Sequence, residues 1–199
     1  MSLWRDRLSR WLAPLARRVP LHPNAITVVA LLLNLAAAAA LGFAGRDRRL
    51  FLVAVVLVAV GGLLDALDGI VAREQTLATP FGDFLDHFCD RVSDVALFAG
   101  WLLGTGVRPL IAVSALVMIM LNGYIGTQVE ATFGKRSYET VGRGEFVLAL
   151  IAFPLIAFAL AGTSYYPTTV ESLTLLTAFA ALVGVAQRFR EAIRLTREK

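Results

Sequence analysis

Apolar and polar positions along the 199-residue chain fall into long blocks rather than a fine alternation. Six apolar runs approach or reach the roughly 20 helical residues needed to cross a hydrocarbon core of about 30 Å. They span approximately Ala25 to Ala44, Leu50 to Val71, Phe84 to Leu103, Pro109 to Ala131, Phe146 to Ala161 and Leu173 to Arg188. The fifth is short and the sixth begins indistinctly. Backbone groups in lipid must hydrogen-bond within their own segment, so each run predicts a helix. The expected fold is an all-α integral membrane protein in one domain over 1–199, with a six-helix transmembrane body over 21–190 and a basic tail over 191–199.

Ahead of the first run, residues 1–20 carry a different pattern. Leu3, Trp4, Leu8, Trp11, Leu12 and Leu15 fall roughly on one helical face, and Arg5, Arg7, Arg10, Arg17 and Arg18 mostly on the other. This predicts an amphipathic helix lying in the membrane interface with Trp at headgroup depth. A cleaved signal peptide fits less well, because no uninterrupted apolar core with a small-residue cleavage site follows the charges.

Composition agrees with the helix reading. Hydrophobic residues make up 57% of the chain and charged residues 17%, with a mean hydropathy of +0.69, outside the usual balance of a soluble domain. Lys and Arg concentrate in the N-terminal segment, at Arg73, at Lys135, Arg136 and Arg143, and in the tail from Arg188; the opposite face has Arg46, Arg48, Arg49 and Arg108. By the positive-inside bias both termini are cytoplasmic. The pI near 9.7 reflects basic residues gathered where a membrane protein meets anionic headgroups, so no nucleic-acid partner is expected. A single cysteine, Cys89, excludes an intrachain disulfide.

The stretch DALDGIVAREQTLATPFGDFLDHFCD, joining the second and third runs on the cytoplasmic side, is unexpectedly acidic for its surroundings. Asp65 and Asp68 are three apart near one helix end, and Asp86 and Asp90 are four apart at the start of the next, so each pair shares a face. A short connection brings the two ends together, and four carboxylates converge. In a low dielectric such charges repel or take up protons unless cations neutralise them. An all-oxygen site suits a hard ion, Mg²⁺ or Mn²⁺ and by the same chemistry Ca²⁺, rather than zinc; four acids can hold two ions. His87 and Cys89 point about 100° and 300° round the helix from Asp86 and are not expected as ligands. Gly69 and Gly82 leave faces without side chains where a ligand can approach, and Arg73, on the Asp65 and Asp68 face, suits a phosphate oxygen. Tight helix packing and solvated helix ends explain any one of these residues but not the set.

The pattern Asp65-x2-Asp68-Gly69-x2-Ala72-Arg73-x8-Gly82-x3-Asp86-x3-Asp90 resembles the signature of the CDP-alcohol phosphotransferases at every fixed position. Pro23 and Asn24 ahead of Thr27 resemble a further family feature, and the resemblance extends over roughly residues 15–190. It implies a metal-dependent transferase that joins CDP-diacylglycerol or a related CDP-lipid to a small polar alcohol and releases CMP, as a homodimer in the lipid bilayer with its active site on the cytoplasmic side. It implies that Asp65, Asp68, Asp86 and Asp90 hold Mg²⁺ or Mn²⁺, with Asp90 also the general base. Asp68, Gly69, Ala72, Arg73 and Gly82 would bind the CDP-lipid, Arg73 at the diphosphate.

The acceptor has to be sought elsewhere. Gln128, Glu130, Lys135, Arg136, Arg143 and Glu145 flank the connection between the fourth and fifth runs. Lys135, Arg136 and Arg143 are candidates for holding an acceptor phosphate; they equally satisfy the positive-inside bias. The stretch Tyr124 to Glu145 resembles the inositol-phosphate branch of the family, with glycerol 3-phosphate the next candidate, ahead of serine, ethanolamine and choline. Two readings compete with the transferase. An ion-coupled transporter predicts acids near the midplane and broken helices, and a membrane scaffold would have to retain four costly acids for packing alone. Outside the signature, Asp83 is expected to cap or be solvated, Asp94 to pair with Arg91 or support the site, and Asn34 and Asn122 to hydrogen-bond between helices.

Overall fold

The computed structural model describes residues 13–14, 16–134 and 143–197. Six helices account for nearly all of them, with no strand among the described residues: α1 Pro23–Phe43, α2 Arg49–Glu74, α3 Pro80–Thr105, α4 Pro109–Phe133, α5 Arg143–Leu160 and α6 Tyr166–Arg197. α1, α2, α4 and α6 are long and apolar enough to cross a membrane, and α5 contains the shorter apolar helix Glu145–Leu160. α3 has 26 residues, sufficient in length, but its first half carries the acids. The protein is a multi-pass membrane protein.

Local sequence sets the helix ends. His22 caps α1, its Nδ1 accepting from the Asn24 N–H at 3.2 Å, with Pro23 in the first turn where its missing N–H costs nothing. Thr79 caps α3 by accepting the Gly82 N–H at 3.0 Å, again with a proline next. α3 and α4 stop at Gly106 and Gly134, both left-handed. α2 stops in a Schellman arrangement: the Leu77 N–H donates to Ala72 O and the Thr76 N–H to Arg73 O, with Thr76 at φ 56° in the place glycine usually takes.

α1 packs against both α2 and α3, α4 against α6, and α5 against α2. The α1–α3 contact is made backbone to backbone. A Cβ at Gly100 would overlap the carbonyl of Ala38, and one at Gly104 that of Leu41, so this pair of glycines four apart lets the two helices approach as closely as packed membrane helices do. The interior centres on Trp101, Phe51 and Leu41, each at most 2% exposed. The Trp101 ring lies 6.2 Å from those of Phe51 and Phe153, and its Nε1 donates to Thr174 Oγ1 on α6 at 3.0 Å. Pro154 falls inside α5, where it withholds one backbone donor.

The structure changes the expected boundaries most at the ends. α6 begins at Tyr166 rather than near Leu173, and it continues to Arg197, so most of the expected tail is the last turns of a helix of 32 residues. That is about 48 Å at 1.5 Å per residue, longer than the hydrocarbon core. The expected interfacial helix lies mostly outside the described residues. Its end is described: Ala16 is fully buried against Ile26, Ile70 and Val71, Gln75 Nε2 donates to the carbonyls of Ala16 and Val19 at 2.8 and 3.0 Å, and Arg17 pairs with Glu74 at 2.7 Å.

Candidate active site

The signature residues sit where α2 ends and α3 begins. Carboxylate oxygens of Asp65, Asp86 and Asp90 lie within 4.8 Å of one another. Helical spacing explains the set, since Asp86 and Asp90 are one turn apart on α3 and Asp65 faces them from α2. Three acids this close, half-buried or, for Asp90, only 9% exposed, offer an all-oxygen donor set to one small divalent cation and little to a softer metal. His87 and Cys89 do not join the cluster. The His87 ring is 3.9 Å from Asp83, and Cys89 is buried with a free thiol.

Asp68 is treated differently from its three neighbours. It is 5% exposed, and its Oδ2 accepts a 2.6 Å hydrogen bond from Thr27 Oγ1 in the first turns of α1. The same hydroxyl lies 3.1 Å from Pro23 O. The structure thus brings three of the four expected carboxylates into one cluster and fixes the fourth beside it by a bond from another helix.

Around the acids the glycines and the arginine take defined places. The Arg73 guanidinium reaches back over Gly69, its Nη1 3.5 Å from where a Cβ there would stand. At Gly82 a Cβ would stand 3.1 Å from Asn24 Oδ1 and 3.2 Å from Thr79 Oγ1, so the bare face admits the start of α1 as well as leaving room at the site. Ala72 is half-buried one residue before Arg73. Asp83 is solvated in the first turn of α3, its side chain 63% exposed, while Thr79 does the capping. Asp94 pairs with Arg91 at 3.1 Å.

A second polar cluster lies one helix away and was not singled out from the sequence. Arg188, 9% exposed in α6, donates through Nη1 to the Asn122 carbonyl at 2.6 Å and to Asn122 Oδ1. Its guanidinium lies on Gly126 of α4, and the Arg91 guanidinium lies on Gly123 one turn earlier, where a Cβ would overlap it. Two arginines, Arg91 of α3, which directly follows Asp90 in the chain, and Arg188 of α6, therefore share one glycine notch on α4. An arginine in the lower half of an otherwise apolar run was a usable signal, but at the edge of the sixth run it reads as a boundary. Of the cations expected to serve the acceptor, Lys135 and Arg136 lie outside the described residues and Arg143 is placed only as the first residue of α5. Asn34 and Asn122 bridge helices as expected, Asn34 Nδ2 donating to Ser93 Oγ at 3.2 Å.

Acids at the ends of two continuous helices, rather than at a helix break near the midplane, match the transferase reading and not the transporter. The comparisons with known proteins agree. The chain is 34% identical over 171 residues to the phosphatidylinositol phosphate synthase of Mycobacterium marinum, covering 78% of this chain and 71% of that one. It is 28% identical over 158 residues to the archaetidylinositol phosphate synthase of Methanothermobacter thermautotrophicus, covering 79% and 78%. The crystal structure of Mycobacterium tuberculosis phosphatidylinositol phosphate synthase with CDP-DAG bound superposes with a TM-score of 0.72 at 27% identity, over 92% of this chain and 94% of that one. The same enzyme in complex with manganese and citrate gives 0.71 at 26%, over 90% and 88%. The sequence profile of the CDP-alcohol phosphatidyltransferases matches residues 20–186, and the chain belongs to that family of metal-dependent membrane transferases.

Proposed function

We propose that the protein transfers the lipid-bearing phosphoryl group of a CDP-lipid to a phosphorylated polyol, inositol phosphate first among them, and releases CMP. The observation that carries the chemistry is the convergence of Asp65, Asp86 and Asp90 within 4.8 Å, with Asp68 held beside them. A divalent cation bound by these carboxylates, and a second ion with Asp68, supplies counter-charge to the diphosphate and to the phosphorus under attack. Arg73, over the bare face of Gly69, pairs with a diphosphate oxygen, while Gly69, Ala72 and Gly82 leave space for the cytidine. Asp90 takes the proton of the acceptor hydroxyl, whose oxygen bonds to the phosphorus next to the lipid as the P–O bond to CMP breaks.

The acceptor class is supported by Arg91 and Arg188 on the α4 notch, two neighbouring guanidinium groups of which Arg91 directly follows Asp90, a pairing that suits a phosphate. Relatives named phosphatidylinositol phosphate synthase and archaetidylinositol phosphate synthase point the same way. All six helices cross the bilayer in this reading, the site faces the cytoplasm and the active unit is a homodimer. A C-terminal GFP fusion that fluoresces in cells supports the cytoplasmic side, and light scattering in detergent tests the homodimer.

The deciding experiment is CMP release by the purified protein with Mn²⁺ and CDP-diacylglycerol, or the archaetidyl donor, as inositol phosphate, glycerol 3-phosphate, inositol and serine are added singly. Release with inositol phosphate alone supports the assignment. Release with unphosphorylated inositol or serine instead removes the phosphate from it. Asp90→Asn should lower turnover by at least about a hundredfold while leaving much of the Mn²⁺ and CDP-lipid binding.

A further inference from the structure

The opposite end of the bundle carries charge that the proposed reaction does not use. The connections 44–48, 106–108 and 161–165 meet there around a cavity of about 480 Å³ lined by Arg48, Tyr166, Phe51, Leu103 and the backbones of Gly45, Gly104, Gly106 and Gly162. Gly106 and Gly162, at φ +69° and +88°, make turns at its rim that a side chain would strain. At Gly45 a Cβ would stand 2.8 Å from the Gly104 carbonyl, so the connections meet at backbone distance. The volume is in the range of small-ligand and headgroup sites.

Charge at this end is unevenly compensated. Arg108 is paired with Glu171 at 2.7 Å, and Asp47 is engaged with the Arg49 N–H at 2.9 Å. Among the described residues Arg46, Arg48 and Arg49 make no ion pair: Arg46 lies over the Phe43 ring and Arg48 over the Phe158 ring, each at 5.3 Å. Three arginines without an ion pair at one end present positive charge that an anionic group of the adjoining leaflet can neutralise. Of the three, Arg48 lines the cavity. Leu103, Leu110, Tyr165 and Phe43, 77%, 80%, 72% and 52% exposed, surround it with surface suited to acyl chains.

We infer that this cavity binds an anionic phospholipid of the leaflet opposite the carboxylates, its phosphodiester on the Arg48 guanidinium and its glycerol and first methylenes against Leu103 and Tyr166. A lipid rather than free phosphate is the occupant because Leu103 on the cavity wall and Phe43, Leu110 and Tyr165 at the same end of the bundle are exposed apolar side chains against which acyl chains can pack. A planar guanidinium supplies two parallel donors to one phosphodiester. The aromatic face behind it leaves those donors directed outward.

Native mass spectrometry of the full chain, with phosphatidylglycerol or phosphatidylcholine titrated into the detergent, tests this on wild type, Arg48→Gln and Arg46→Gln. The expected result is one tightly bound phosphatidylglycerol, weakened about tenfold or more by Arg48→Gln and unchanged by Arg46→Gln, with phosphatidylcholine a poor competitor. CMP release unchanged in Arg48→Gln verifies that the variant is folded and that the site is separate from the reaction. Equal weakening by both substitutions would mean diffuse attraction of charge, and overturns the site. Wild-type binding by Arg48→Gln overturns it as well. Displacement by low-millimolar inorganic phosphate would show that the apolar walls contribute nothing, and overturns the lipid as occupant.

Discussion

Thr27 donates to Asp68 at 2.6 Å from a helix 41 positions away in sequence, and one hydroxyl thereby decides which way a candidate metal ligand faces. Residues that hold a ligand commonly change metal affinity by ten- to a hundredfold when lost. Thr27→Val, which keeps the shape and removes the donor, should weaken Mn²⁺ binding by about tenfold in calorimetry, and Thr27→Ser should restore it. Equal binding by all three proteins would reduce Thr27 to packing. The aspartates were legible from sequence because i+3 and i+4 spacing within one helix is enough to put two carboxylates on a face. Thr27 and Arg188 were not assigned roles, because each acts on a residue of another helix, and periodicity says nothing about which faces meet. Arg188 meets Asn122 across 66 positions.

Helix ends show the same division. Prolines mark the starts of α1, α3 and α4 in the sequence, joined at α3 by the capping Thr79, and these starts fall within a few residues of expectation. α6 starts earlier than expected because Thr168, Thr169, Glu171 and Ser172 break the apolar run, although Pro167 in the first turn is an ordinary start signal. The end of α2 could not be foreseen, since threonine rarely takes the left-handed position. Thr76 at φ 56° costs about 1 kcal/mol relative to glycine. Thr76→Gly should therefore raise the detergent melting temperature, provided the connection keeps its Schellman bonds; a lower melting temperature would show that the Thr76 hydroxyl bond to Gln75 O outweighs the strain. Gly104→Val acts in the other direction. The side chain cannot fit against the Leu41 carbonyl, and the α1–α3 contact should lose about 3 kcal/mol or more, seen as a lower melting temperature or failed expression. An unchanged melting temperature would mean that the two helices separate without cost.

Six helices and a carboxylate cluster were readable from hydropathy and spacing alone, but the grouping of the helices was not, because nothing in the order of apolar runs says that α4 packs on α6 rather than on α5. The cluster also ties stability to ligand. Three carboxylates held within 4.8 Å repel when no cation is present, and an ion that binds only the folded chain stabilises it by about 2.7 kcal/mol at a hundredfold excess over its Kd. Mn²⁺ should raise the melting temperature and EDTA reverse the gain, with Asp86→Asn showing a much smaller shift; equal shifts in both proteins would place the ion elsewhere. The grouping of helices has an evolutionary side. α1, α2 and α3, joined by the Gly100 and Gly104 seam, carry Thr27, Asp65, Asp68, Arg73, Asp86 and Asp90, whereas Arg188 and the Gly123 and Gly126 notch belong to α4 and α6. Substitutions in that second group can drift without touching the groups assigned to donor activation. If Arg91 and Arg188 hold the acceptor as proposed, a lineage with this architecture exchanges one acceptor for another through α4, α6 and a single position of α3, while the carboxylates are inherited intact.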